Sequence, residues 1–243
     1  MTSRYDVVAG KNAVRELLFS NQPVQEVWFC GKLDPDIEGK ARRSQVKLHK
    51  VSREQLQDLA PKHQNVIALA YKPVRQLGLE ELLQLAHADV NQSPLLVMTD
   101  GIQDPRNLGA AIRVADAAGS HGLILPKHRA APPTATVIRT AAGATAHYPL
   151  VTVTNLNRAM QECKAAGLWI AGLDAEADKS IWEADLTGPL VIVLGSEHKG
   201  LRRLVKERCD FTLSIPMFGG VRSLNASTAL AVALYEVRRQ RAV

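Results

Sequence analysis

The sequence predicts an α/β protein in two parts: a small basic α/β unit, then a larger α/β domain on a mainly parallel sheet. Three observations predict this. From Leu95 onward, strand-like runs alternate with helical patterns, the rhythm of βα units. Those runs are continuously apolar, as in strands covered by helices on both faces. The net charge of +6 is uneven: residues 1–76 hold 13 basic and 8 acidic residues, whereas residues 77–243 hold 17 and 16. A chain of 243 residues with 46 % hydrophobic residues builds one or two cored domains, and 5 % aromatics makes those cores aliphatic.

The elements follow in order. Asn12 to Ser20 reads as a helix, with Val14, Leu17 and Leu18 on one face. Val24 to Cys30 reads as a strand, and Lys40 to Ser44 as a short basic stretch. Ser52 and Gln55 form a capping box for a helix through Leu59, which Pro61 stops. Val66 to Tyr71 is a further strand. Residues 77–93 read as a linker that carries an amphipathic helix, Leu79 to Ala88, and a turn at Asn91 to Pro94. The larger domain then occupies 94–243. Its strands are expected at Leu95–Thr99, Gly122–Leu125, Leu168–Leu173, Leu190–Leu194 and Phe211–Ile215. Its helices are expected at Leu108–Ala118, Leu156–Ala166, Leu201–Arg208 and Ala226–Arg239.

In parallel sheets, ligands bind at the carboxyl ends of strands, so the loops there carry the chemistry. Three stand out, each mixing glycine with polar residues and each leading into a helix. In Asp100 to Gly109, Asn107 is placed to cap the following helix. Arg113, inside that helix, sits three residues from Asp116: the spacing suits a surface ion pair as well as a contact with a phosphate or a nucleophile. In Leu194 to Gly200, glycines bracket Glu197, which can cap a helix or hold a cationic or hydroxyl group. In Ile215 to Ser227, Ser223, Asn225 and Ser227 surround a helix start, and Gly219-Gly220 permits tight turns.

Other classes are set aside. The chain contains no GxGxxG, GxSxG or GxxxxGK[ST] motif, so dinucleotide enzymes, elbow hydrolases and P-loop NTPases are disfavoured. Cys30, Cys163 and Cys209 form no CxxC, and the seven histidines show no HxxxH, so no metal is expected. No apolar run has membrane-spanning length and no signal peptide is evident, so a cytoplasmic protein without membrane contact is expected. The basic first third suits a polyanion such as nucleic acid.

The three loops, in this order, resemble a known family. Asn107-Leu108-Gly109-Ala110-Ala111-Ile112-Arg113, Leu194 to Gly200, and Ile215-Pro216-Met217 through Ser223-Leu224-Asn225-Ala226-Ser227 are similar to the three motifs of the SpoU (TrmH-like) branch of SPOUT RNA methyltransferases. Gly10 to Leu18 and His63 to Ala68 resemble the small substrate-binding domain of the type that methylates a guanosine ribose 2′-oxygen in 23S ribosomal RNA.

That resemblance implies an L30e-like N-terminal domain over 1–76 and a SPOUT domain with a deep trefoil knot over 94–243. It implies S-adenosylmethionine as methyl donor, with Gly195, Ile215 and Leu224 lining its pocket. It implies a homodimer and, as partner, large-subunit ribosomal RNA. Arg113 would stand beside the reacting hydroxyl, while Asn107, Glu197, Ser223 and Asn225 position the ribose, the phosphate and Arg113. Ala226 departs from the valine of many relatives, a change of packing alone. Two alternatives belong to the same fold: methylation of tRNA or of another ribosomal nucleotide, and RNA binding without catalysis. A small-molecule enzyme on an α/β sheet fits the basic unit poorly.

Overall fold

The computed structural model describes residues 5–20, 23–71, 74–197 and 199–242. The chain divides into two compact units, Met1–Pro73 and Val74–Val243.

The first unit contains β1 (Tyr5–Ala9), α1 (Lys11–Phe19), β2 (Val24–Phe29), α2 (Pro35–Arg43), β3 (Lys47–Lys50), α3 (Arg53–Leu59) and β4 (Val66–Tyr71). Its sheet runs β1-β4-β2-β3, with β4 antiparallel to both neighbours and β3 parallel to β2. Val14, Leu17 and Leu18 of α1 are buried together with Val27, Ile37 and Ala68. Leu56 of α3 packs with Ile67 in a separate small cluster. The capping box closes both ways, Gln55 N–H to Ser52 Oγ at 3.2 Å and Ser52 N–H to Gln55 Oε1 at 2.9 Å. Three elements escaped sequence reading. The basic stretch at Lys40 is the end of α2, which buries only Ile37 and Ala41. Its start is set by Asp34, which accepts from the Asp36 N–H at 2.9 Å, and by Pro35 in the first turn. β3 is a charged strand at the sheet end, a composition that blunts edge pairing. β1 is only half-buried.

The second unit contains α4 (Leu79–Ala88), β5 (Leu95–Asp100), α5 (Pro105–Ala117), β6 (Gly122–Pro126), α6 (Ala135–Thr140), β7 (Leu150–Val153), α7 (Leu156–Ala165), β8 (Trp169–Leu173), β9 (Leu190–Gly195), α8 (Arg203–Lys206), β10 (Phe211–Leu213) and α9 (Ala226–Arg241). Six parallel strands run in the order β10-β8-β9-β5-β6-β7. One aliphatic cluster joins the sheet to α5 and α9, and another joins it to α4 and α7. This is the two-sided cover that the continuous apolar runs imply.

The segment expected as a linker is built into this unit. Leu82 and Ala86 of α4 are fully buried against Met98, Ile124 and Val151. A Cβ at Gly122 would lie 2.5 Å from Leu82 Cδ1, so β6 and α4 meet closely because residue 122 is glycine. An amphipathic helix must cover its apolar face, and the sheet supplies the partner. β7 and α6 were not read from sequence: each is short and half-covered. β10 stops at Leu213 where Ser214 bridges Ser180, so it is shorter than expected. α8 has only four residues, because Arg202 is the N-cap and the chain turns away at Glu207.

Candidate active site

The site is built by the loops that follow β5, β9 and β10. α5 starts earlier than expected: Asp104 caps it, accepting from the Arg106 N–H at 2.9 Å, with Pro105 in the first turn. Asn107 is therefore inside the first turn rather than the cap, and its side chain is free for other bonds.

Asn225 is the N-cap of α9. Its Oδ1 accepts from the Ser227 N–H at 3.0 Å and the Ser227 hydroxyl at 2.7 Å. Those two donors fix the amide, and its Nδ2 points the other way. Nδ2 donates to Asn107 Oδ1 at 3.1 Å and to the Glu197 carboxylate. One capping amide thus gathers side chains from all three loops. The group is open to solvent: Glu197 and Asn225 are exposed and Asn107 is half-buried. Further lone pairs of Glu197 and the Nδ2 of Asn107 remain available to a ligand.

The two ends of the loop holding Glu197 are tied to each other. Ser196 and Gly200 exchange backbone hydrogen bonds of 3.0 and 2.9 Å. A Cβ at Gly195 would lie 2.2 Å from the Gly200 carbonyl carbon, so only glycine fits. The loop is anchored behind by Asp100, whose side chain is fully buried. Asp100 accepts from Arg202 Nε at 2.6 Å and from the Arg202 backbone N–H at 2.8 Å. A buried carboxylate is tolerated because it is both ion-paired and hydrogen-bonded.

Two cavities meet at this loop. The first, about 430 Å³, is lined by Gly195, Ile215 and Leu224, and also by Glu197 and Ser223. Asp174 and Lys206 pair across its wall at 2.5 Å. Burial works to raise the Asp174 pKa, but the Lys206 ammonium and the Glu176 N–H outweigh it and hold the carboxyl below its usual range. The second cavity, about 650 Å³, shares Ser196, Glu197 and Lys199 with the first and adds Asn107, Arg129 and Arg202.

Arg113 stands apart from this assembly. It is exposed, lines neither cavity and makes no hydrogen bond or ion pair among the described residues. The pairing with Asp116 does not form, because Asp116 accepts from His147 Nε2 at 2.9 Å instead. Asn107 and Arg113 are six residues apart on α5, which turns them about 120° from each other around the helix. His198 of the second motif lies outside the described residues. Sequence reading also missed Asp100, Arg202, Arg129, Asp174 and Lys206. Only Asp100 left a signal, a carboxylate ending β5, which is apolar from Leu95 through Met98.

Among the described residues, no group of three or more His, Cys, Asp or Glu is arranged to hold a metal ion. Among them, no helix is long and apolar enough to cross a membrane.

Comparison with known proteins agrees in every direction. The SpoU rRNA methylase family matches residues 94–235, and the family described as RNA 2′-O ribose methyltransferase substrate binding matches residues 7–75. The chain is 41 % identical over 248 residues to the 23S rRNA (guanosine-2′-O-)-methyltransferase RlmB of Pseudomonas aeruginosa, covering 98 % of both chains. It is 40 % identical over 249 residues to YacO of Bacillus subtilis, a putative TrmH family tRNA/rRNA methyltransferase, covering 99 % of this chain and 98 % of YacO. Among solved structures, the SpoU methyltransferase AviRb of Streptomyces viridochromogenes, in complex with AdoMet, superposes with a TM-score of 0.64 at 27 % identity. That match covers 99 % of this chain and 92 % of AviRb.

Proposed function

The chain belongs to the SpoU rRNA methylase family, and from that premise we propose that it moves a methyl group from S-adenosylmethionine to the ribose 2′-oxygen of a guanosine in 23S ribosomal RNA. The observation that carries this reading is Asn225, which lines neither cavity itself but binds Glu197, which lines both, and Asn107, which lines the second. One cavity suits a donor and the other an acceptor.

The first cavity fits the donor chemically. S-adenosylmethionine combines a purine, a ribose, a sulfonium and an amino-acid end. The lining offers an apolar wall from Leu194, Leu213, Ile215 and Leu224, with charges of both signs from Glu197, Lys199 and Arg222. Glycine at 195 lets the Gly200–Leu201 backbone close against the end of β9 and so shapes this wall of the cavity. Gly195, Ile215 and Leu224 would hold the donor, which supplies an electrophilic methyl group on a sulfonium cation. Glu197 adds negative charge on that side of the site.

The rest is done by the chain's own residues. A ribose hydroxyl is a weak nucleophile until it loses its proton. Asn107, Glu197, Ser223 and Asn225 orient the target nucleotide, and positioning alone supplies a large share of the rate. By the resemblance Arg113 stands beside the reacting hydroxyl as its base; held as an ordinary guanidinium it would instead stabilise the developing alkoxide and grip the adjacent phosphate, the proton leaving to another acceptor. The protein works as a homodimer in this reading, and the partner's Arg113 completes the site. Two features support that arrangement: Arg113 lies away from its own Asn107–Glu197–Asn225 cluster, and the third loop leaves Phe218 94 % and Val221 67 % exposed.

The deep trefoil knot and the L30e-like first unit belong to the same proposal. Gln240 of α9 accepts from the Leu186 N–H at 2.8 Å and donates to the Ala184 carbonyl at 3.0 Å, which supports a C-terminal helix bound under the segment between β8 and β9. The first unit recruits the RNA, with Lys40, Arg42 and Arg43 as contacts, and the protein acts in the cytoplasm on ribosomal RNA. The test is methyl transfer from labelled donor to 23S ribosomal RNA and to tRNA in parallel. Labelling of the ribosomal RNA supports the reading. Labelling of tRNA alone keeps the chemistry and overturns the substrate.

A further inference from the structure

A third cavity, about 180 Å³, opens between the carboxyl ends of β6 and β7. It adjoins the acceptor cavity, and Arg129 and Arg202 line both. The two openings are thus neighbours across the strand ends, with two cations on their common wall. We propose that this third cavity holds the nucleoside next to the methylated one, with Arg129 and Arg202 clamping the phosphate between the two. The proposal rests on the methyltransferase reading of the acceptor cavity.

The cations are prepared for that role in different ways. Arg202 is held by one edge only: its Nε and backbone N–H bind the buried Asp100. Among the described residues its two Nη groups bond nothing, and its side chain is 47 % exposed. An arginine oriented by a buried carboxylate, with its other edge open, is organised in advance for a phosphate. Arg129 is exposed and bonds nothing among the described residues, yet its backbone has φ 59°, in the left-handed region. A non-glycine residue there is strained, and such strain clusters at binding sites.

The cavity also carries base-reading groups. The His128 ring has no partner among the described residues and lines the opening, where a base could stack on it. Asn155 caps α7 through Oδ1, accepting from the Arg158 N–H at 3.1 Å, which leaves its Nδ2 as a donor. Asn157 Oδ1 is buried without a partner beside it.

The experiment uses the full-length protein, a ribosomal RNA fragment that the native enzyme methylates, and Arg129→Gly. Glycine removes the cation and relieves the left-handed strain, so the fold is retained and the melting temperature does not fall. The expected result is a KM for RNA about ten-fold higher, with unchanged donor affinity by calorimetry. The slope of log affinity against log salt falls by about 0.7, the loss of one single-strand phosphate contact. Arg129→Lys restores part of the affinity. A neutral methylphosphonate at the flanking phosphate weakens the native enzyme and leaves Arg129→Gly indifferent. Native KM and salt slope in Arg129→Gly would overturn the subsite while the methyltransferase reading stands. Absence of methyl transfer to any RNA by the native protein would overturn both.

Discussion

Asn225→Asp separates two jobs that one amide performs. The Oδ1 of Asn225 caps α9, and aspartate keeps that acceptor and suits a helix N-terminus electrostatically. The Nδ2, which donates to Glu197 and Asn107, becomes a carboxylate oxygen. The change removes a hydrogen bond to a charged acceptor, about 1.5–3 kcal/mol. It also sets two carboxylates at hydrogen-bond separation. The cluster is exposed, so their repulsion is near the high-dielectric limit, about 1–2 kcal/mol at roughly 3 Å. Together these amount to about 2.5–5 kcal/mol against the assembled site. At about 1.4 kcal/mol per decade, that is a fall of roughly two to three and a half decades in kcat/KM for RNA. The melting temperature should stay within about 2 °C of native, because the cap persists. The assay is methyl transfer from labelled S-adenosylmethionine, beside thermal unfolding. Native kcat/KM in the variant would refute the claim that Asn225 assembles the site. So would a loss of activity matched by a collapse in melting temperature.

Other consequences follow from neighbouring residues. Gly195→Ala forces a Cβ to 2.2 Å from the Gly200 carbonyl carbon. The overpacking costs about 1–3 kcal/mol, lowering the melting temperature by roughly 2–12 °C and donor affinity by at least ten-fold; native donor affinity by calorimetry would contradict this. Asp174, whose pKa is held low by Lys206 against its burial, contributes stability that is fully present above the unfolded carboxylate pKa, about 4. That contribution is lost as pH falls through the lower folded value. The gap in melting temperature between native protein and Asp174→Asn should therefore be constant from pH 5 to 8 and close below about pH 4. A gap independent of pH would remove the ion pair from the account. If Arg113 acts across the dimer, mixing inactive Arg113→Ala and Asn225→Ala protomers should restore up to about a quarter of native activity, by statistical pairing of subunits. No restoration in mixed dimers confirmed by mass spectrometry would place Arg113 in its own subunit's site.

The parallel sheet of the second unit was readable because β5, β6, β8 and β9 are continuously apolar runs set between helical patterns. The parts that escaped are short or bury few apolar residues. α2 buries two residues, β3 has lysine at two of its four positions, and α6 has only six residues. The role of α4 needed tertiary information: its amphipathic face is plain in sequence, but its place against β6 depends on Gly122, more than thirty residues away. The loops of the candidate site were visible because glycine and polar side chains interrupt apolar runs. Their connections were not. Asn225 meets Asn107 across 118 residues and Arg202 meets Asp100 across 102, distances over which spacing says nothing. Arg129 was silent for a different reason, since its distinguishing feature is a backbone angle rather than a residue pattern.

The most direct measurement is to map the methyl group. Large-subunit ribosomal RNA would be incubated with labelled S-adenosylmethionine and the native protein or Arg113→Ala, then digested to nucleosides and resolved by mass spectrometry. The account predicts label in 2′-O-methylguanosine with native protein and none with Arg113→Ala, although the variant still binds donor and melts as the native protein does. Label on a base, or equal ribose methylation by both proteins, would contradict it.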